Sequence, residues 1–155
     1  MNIGIVVYSW SGNTLSVCEK LKEKLAAGGH SVILAELQLE GERERGSRQF
    51  QLGELPDLNP YDGLVFGAAV EAFSLSPVLS EYLKRVDSLQ GKSVACLVTQ
   101  QFPFAWLGGN RAIRQMKKLC KAKGANIVGS AVVHWAKSRR AKTITEAVER
   151  LSSVF

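Results

Sequence analysis

The first 25 residues combine three patterns that together restrict the fold. An uninterrupted apolar run, Ile3–Tyr8, is followed at once by the polar segment Ser9–Thr14, and apolar residues then recur at helical spacing as far as Leu25. A buried strand, a short polar turn and an amphipathic helix in this order predict the start of a βαβ unit. Because the first N–H groups of a helix lack partners within it and the helix dipole favours an anion, this turn is a candidate phosphate site.

The composition of the turn supports that interpretation. Gly12 lets the backbone approach a ligand closely, while Ser9, Ser11 and Thr14 offer hydroxyl donors and Asn13 offers an amide. The segment contains no Lys or Arg, so the sequence predicts that dipoles and N–H groups alone meet the charge of a phosphate. Ser, Asn and Thr are also ordinary helix N-caps, so a simply capped helix remains the alternative.

Strand and helix patterns alternate along the rest of the chain. The strand candidates are Ile3–Tyr8, Val32–Glu36, Gly63–Gly67, Ser93–Thr99 and Asn126–Val133. The first, third and fourth are continuously apolar, which is typical of parallel strands covered on both faces. Apolar residues recur at helical spacing before Gly28, after Pro77, before Gly124 and around Val148, and each stretch predicts a helix. We expect one α/β domain over residues 1–155, a doubly wound three-layer sandwich, with 39–60 as a loop that holds one short helix.

Composition limits the class of protein. The chain has 155 residues, 46% hydrophobic and 22% charged, which are values of a globular domain. No apolar run approaches the roughly 20 residues of a membrane span, and no export signal is evident. The cysteines, Cys18, Cys96 and Cys120, form no CxxC pair, and only two histidines accompany them. We therefore expect a cytoplasmic protein with buried thiols, no metal site and no contact with a membrane.

Three segments resemble the flavodoxin family. Ile5–Thr14 looks like the family's phosphate loop. Tyr61–Val70, followed by Ser74–Pro77, is similar to its third strand and first flavin loop, and Gly91–Thr99, followed by Gly108-Gly109, is similar to its fourth strand and second flavin loop. The segments occur in the family's order, and the resemblance covers nearly the whole chain. No long insertion interrupts the fifth strand, so the chain resembles the short-chain members.

The resemblance implies a five-stranded parallel sheet of order 2-1-3-4-5 with FMN at its carboxyl edge, where the strand order reverses. It places the phosphate on Ser9, Trp10, Ser11, Gly12, Asn13 and Thr14. It places the isoalloxazine between a first loop, Ala68, Ala69, Val70, Glu71, Ala72 and Phe73, and a second loop, Thr99, Gln100, Gln101, Phe102, Trp106 and Gly108.

Both flavin loops depart from the family's pattern. The first reads Ala68-Ala69-Val70-Glu71 where the family has Ser-Pro-Val-Tyr or similar, so an aromatic is missing at Glu71. A carboxylate there would oppose a reduced, anionic flavin. The second loop contains Phe102, Phe104 and Trp106, and we expect at least one of them to stack on the ring. The alternative is that these aromatics bury a hydrophobic loop or form a dimer contact.

Charge is divided unevenly along the chain. Residues 1–77 carry six basic and ten acidic side chains, a net −4, and residues 78–155 carry fourteen and four, a net +10. Basic residues crowd the stretch 111–123 and the stretch 137–142. We interpret this half as a docking face for acidic redox partner proteins, a reductase donor and an acceptor. No recognition helix or RNA-binding motif accompanies the charge, so the sequence does not favour nucleic acid.

The resemblance implies an FMN-binding electron carrier, and no residue of the sequence stands out as catalytic. A receiver domain would need acidic residues where Tyr8-Ser9 and Gly67-Ala68 stand, and no cysteine is followed six residues later by the Arg of a small phosphatase. A GxGxxG fingerprint follows no strand. Two alternatives remain open: a small FMN-dependent NAD(P)H:flavin or quinone oxidoreductase, and a flavodoxin fold that has lost flavin and acts by binding proteins.

Overall fold

The structure, a computed structural model, describes all residues from 1 to 155 and has three layers. The strands are Asn2–Val7 (β1), Ser31–Glu36 (β2), Leu39–Glu40 (β3), Gln51–Leu52 (β4), Gly63–Glu71 (β5), Ser74–Leu75 (β6), Ser93–Gln100 (β7) and Asn126–His134 (β8). The helices are Asn13–Ala27 (α1), Pro77–Arg85 (α2), Gly109–Ala122 (α3) and Arg140–Ser152 (α4). No helix has both the length and the apolar character that a membrane crossing requires.

The central sheet confirms the predicted fold class. Its strands lie in the order β2-β1-β5-β7-β8, and every neighbouring pair is parallel. When only the five parallel strands are numbered along the chain, this order is the predicted 2-1-3-4-5. The apolar runs of β1, β5 and β7 form the three middle strands, where helices cover both faces. β6 is a short addition that pairs antiparallel with the end of β5.

Two hydrophobic clusters fill the space on either side of the sheet. One holds 21 buried residues, with α2 and α3 on its outer side, and the other holds 14, with α1 and α4. Of the apolar residues that the sequence placed at helical spacing in α1, Cys18, Leu21 and Leu25 are buried and Leu15 is partly buried, and Val17 joins them. All three cysteines are buried and unpaired, as expected. Burial raises the pKa of Cys18 to about 12, so its thiol stays protonated.

The segment 39–60 differs from its prediction. It contains no helix; instead Leu39 pairs with Leu52 and Glu40 with Gln51, so β3 and β4 form a small antiparallel sheet of their own. Leu52 and Phe50 pack into the same cluster as α2 and α3. The segment therefore covers part of the sheet face where a further crossover helix would otherwise lie. Its charged stretch 40–46 has no apolar periodicity, so no helix forms there.

We predict that Leu52 stabilises the fold through this packing. Leu52 is 7% exposed and Leu55, in the same segment, is 37% exposed. Leu52→Ala should lower the free energy of unfolding by about 2 kcal/mol because it leaves a cavity, and Leu55→Ala should change it by less than about 0.5 kcal/mol. Denaturant unfolding measures both values. If both variants change the free energy of unfolding by the same small amount, the 39–60 segment is not packed on the core.

Candidate functional site

The carboxyl ends of β1, β5 and β7 lie at one edge of the sheet, and the residues that follow them enclose three adjoining cavities. The largest, about 300 Å³, lies between Val70–Phe73 and Gln100–Phe102. Two small ones, about 20 Å³ each, lie beside Ser11 in the turn after β1. Val70 and Arg45 line all three cavities, so the three are parts of one continuous site.

The turn after β1 presents free N–H donors. Gly12 has φ +90° and precedes the first residue of α1. The Oγ of Ser9 accepts a hydrogen bond from the N–H of Leu15 at 3.2 Å, and this contact shapes the turn. The backbone N–H groups of Ser11, Gly12 and Thr14 make no hydrogen bond within the protein. Unpaired donors at the N-terminus of a 15-residue helix fit an anionic group.

Thr14 and Thr99 hold two of these elements together. Their hydroxyl oxygens are 2.8 Å apart in a buried hydrogen bond that joins the start of α1 to the end of β7. The sequence suggested that the Thr14 hydroxyl is a donor to a phosphate. The structure gives it a partner inside the protein, so the side chain positions the turn.

The residues after β5 form a hairpin where the sequence suggested a loop. β5 continues to Glu71, and Ala68 is fully buried within it. Ala72 and Phe73, with φ +48° and +63°, form the two-residue turn to β6. Both are left-handed, a conformation that costs a side-chain-bearing residue roughly 1–2 kcal/mol. The strained turn holds Phe73 at the mouth of the largest cavity.

Aromatic rings from the β5–β6 turn and from the loop after β7 stack in pairs. The rings of Phe73 and Phe102 are 5.6 Å apart between centroids and 7° from parallel, and both line the largest cavity. Phe104 and Trp106 form a second stacked pair with centroids 5.9 Å apart. Trp106 is 72% exposed and lines none of the three cavities. Of the aromatics that follow β7, the structure thus brings Phe102 to the cavity and leaves Trp106 outside its lining.

Buried polar side chains hold the loop 101–108 in place. Gln100 donates from Nε2 to the carbonyl oxygens of Phe102, at 3.1 Å, and Phe104, and the Nδ1 of His134 lies 2.9 Å from the carbonyl oxygen of Phe102. A Cβ on Gly108 would lie 2.8 Å from Val70, so the second loop packs directly on the first. Gln100 and Gly108, predicted as cofactor contacts, therefore also position the loop, and His134 was not anticipated.

Arg43 and Glu71 form a buried ion pair beside the site. Nη2 of Arg43 lies 2.7 Å from Oε1 of Glu71, and Nη1 lies 3.4 Å from Oε2. Their side chains are 1% and 11% exposed. Burial alone would lower the pKa of Arg43, but its hydrogen bonds to Glu71 and Tyr8 outweigh burial and raise that pKa. The carboxylate of Glu71, which the sequence suggested would oppose a reduced flavin, is thus paired with a cation from 39–60.

Arg45 reaches the site from the same segment. The N–H of Ser47 donates to the carbonyl oxygen of Glu44 at 3.0 Å, and Gly46 has φ +82°, so Arg45 stands at the tip of a turn. Its guanidinium lies over the ring of Trp10, 5.4 Å from the centroid. The sequence predicted that dipoles and N–H groups alone meet the charge of a phosphate; the structure brings Arg45, from a different segment, to both small cavities beside Ser11. The residues Glu44–Ser47 are of types that indicate a turn, but the sequence does not indicate that this turn packs against Trp10.

A search of solved structures matches the chain to flavodoxins and related flavoproteins. Flavodoxin 2 from Bacillus cereus has a TM-score of 0.71 and 21% identity, covering 99% of this chain and 97% of that one. A putative flavoprotein from Bacteroides uniformis has a TM-score of 0.72 and 13% identity, covering 96% and 98%. A flavoprotein from Lactobacillus acidophilus, solved in complex with FMN, has a TM-score of 0.66 and 18% identity, covering 84% and 92%.

Neither a scan against protein-family models nor a search of curated proteins found a match. The structural likeness extends over nearly the full length of both chains. The chain therefore has the flavodoxin-like fold, as the sequence predicted.

We predict that Arg43→Met lowers the free energy of unfolding by about 3 kcal/mol, because it leaves the Glu71 carboxylate buried without a cation. Arg85→Met is the matched control, since Arg85 pairs with Glu81 on the surface, and should cost less than about 1 kcal/mol. Adding Glu71→Gln to Arg43→Met should recover part of the loss. Denaturant unfolding of all four proteins tests this; similar losses in the two Arg variants would contradict it.

Proposed function

We propose that this protein binds FMN at the carboxyl edge of its sheet and works as an electron carrier. One observation carries the proposal: unpaired N–H groups at the start of α1 lie beside two small cavities, and Val70 and Arg45 line both of these and the cavity of about 300 Å³ that Phe73 and Phe102 line. One end of the site suits a phosphate and the other a flat aromatic ring. The likeness to flavodoxins supports the same assignment.

The turn Ser9–Thr14 would hold the phosphate. The N–H groups of Ser11, Gly12 and Thr14 lie at the positive end of the α1 dipole and have no competing partner. The Asn13 amide and the hydroxyl hydrogens of Ser9 and Ser11 add donors at the same place. These groups keep their positions because Thr14 is bonded to Thr99.

The hairpin after β5 and the loop after β7 would hold the isoalloxazine. Val70, Ala72 and Phe73 of the hairpin and Gln101 and Phe102 of the loop line the large cavity together. Phe73 and Phe102 are themselves half exposed, so a ring held against them would keep an edge near solvent, where another protein can reach it. Bound FMN would supply the redox chemistry, and the chain's own residues bind it, orient it and limit access of water.

Partner docking would use the surface beside the exposed Phe104–Trp106 pair. Arg139 donates to the carbonyl oxygen of Pro103, so the basic stretch 137–140 lies directly against the aromatic loop. Lys137 and Arg140 are exposed there. Exposed aromatics surrounded by cations suit partner proteins that offer an apolar centre and an acidic rim, and charge attraction would speed the encounter. A reductase donor and an electron acceptor are the partners we propose.

We predict that Gly12→Ala weakens FMN binding by tenfold or more. Gly12 and Gly29 have φ +90° and +93°, and a Cβ on either would meet no atom within 4 Å. Alanine at either position should cost about 1 kcal/mol of backbone strain, but only Gly12→Ala displaces N–H groups of the site. Titration of the purified protein with FMN, followed by flavin fluorescence, measures the effect. Equal affinities in Gly12→Ala, Gly29→Ala and the wild type would contradict the phosphate assignment.

The proposed electron carrier and the alternative, an NAD(P)H-dependent oxidoreductase, differ in whether NADH or NADPH reduces the bound flavin directly. Without a reductase, we expect the FMN-loaded protein to keep the visible absorbance of oxidised flavin when it is mixed anaerobically with NADH or NADPH. Rapid bleaching by either nucleotide would contradict the carrier assignment and favour the oxidoreductase. A wild-type protein that binds no FMN would favour the third possibility, a flavin-free fold that acts by binding proteins.

A further inference from the structure

Arg43 determines where the tip of the 44–47 turn lies. Its Nε donates to the carbonyl oxygen of Ser47 at 2.8 Å, while its Nη atoms bind Glu71 at the end of β5. The carbonyl oxygen of Arg43 also accepts a hydrogen bond from Nε1 of Trp10 at 3.3 Å. The turn is therefore joined both to the β5 hairpin and to the turn after β1, and its tip residue, Arg45, is held between them.

Arg45 has a free positive charge at this position. It takes part in none of the four ion pairs of the structure. The one acidic side chain that lines the three cavities is Glu71, and Glu71 is already paired with Arg43. The turn Ser9–Thr14 supplies no cation of its own. A site built for an anion thus has one uncompensated cation, and that cation comes from a different segment of the chain.

We propose that Arg45 binds the phosphate of FMN, an inference that rests on the proposed function. Both small cavities that it lines are also lined by Ser11 of the turn after β1, and its guanidinium already stacks on Trp10 of that turn. A planar guanidinium matches phosphate oxygens in a two-point contact, which an ammonium does not. Arg45 thereby supplies the charge that the turn lacks and couples cofactor binding to the 39–60 segment.

The test compares FMN with riboflavin, which has the same ring and no phosphate. Arg45→Gln should weaken FMN binding by tenfold or more and weaken riboflavin binding far less, because riboflavin has no phosphate for the guanidinium to contact. The loss of FMN affinity with added salt should also be smaller in Arg45→Gln than in the wild type. Arg48→Gln is the matched control, because Arg48 is an exposed cation three residues further along that lines none of the three cavities.

The outcomes separate this assignment from the proposed function. If wild type and Arg45→Gln bind FMN equally well, the assignment of Arg45 is wrong and the proposed function stands. A matching loss of riboflavin affinity would also overturn it, because the effect would then come from the ring or from the fold. If the wild type binds no FMN, the proposed function fails and the assignment fails with it. Thermal unfolding checks that Arg45→Gln is folded, as its exposed position predicts.

Discussion

The candidate site depends on the buried pair of Arg43 and Glu71. A charge inside a protein is costly unless a partner and further hydrogen bonds compensate it. Here Arg43 contacts Glu71, the hydroxyl of Tyr8 and the carbonyl oxygen of Ser47, so its guanidinium has partners on three sides. The pair joins 39–60, a segment with only two short strands, to the end of a central strand. Without it, nothing of comparable strength would hold Arg45 beside Trp10.

The parallel sheet supplies the second constraint. Val7 of β1 lies beside Gly67 of β5, and Ala69 of β5 lies beside Thr99 of β7, so the three strands end close together. The connection from β1 leads to β2 on one side of the pair β1 and β5, and the connection from β5 leads to β7 on the other side. Such a reversal opens a crevice at the carboxyl edge of an open α/β sheet. The turn after β1, the β5–β6 hairpin and the loop after β7 meet at that crevice.

The sequence predicted what local periodicity controls. A strand buried on both faces has a continuous apolar run, and a helix buried on one face has apolar residues at helical spacing. These two patterns identified β1, β5, β7 and the helix that ends near Leu25, together with their order. It did not predict that Arg43 pairs with Glu71, 28 positions away, since that contact depends on how an irregular segment folds back. The same docking carried Arg45 to Trp10. The bond between Thr14 and Thr99 also joins residues far apart in the sequence, here through the packing of α1 against β7.

In the binding mode we propose, FMN has its phosphate at the start of α1 and its ring at the β5–β6 hairpin and the loop after β7. The most direct measurement is a titration of isotope-labelled protein with FMN, in which backbone amide signals are followed by NMR. We expect the largest shifts at Ser11, Gly12 and Thr14, with further shifts at Phe73 and Phe102. Shifts confined to other faces of the molecule, or none at saturating FMN, would contradict it.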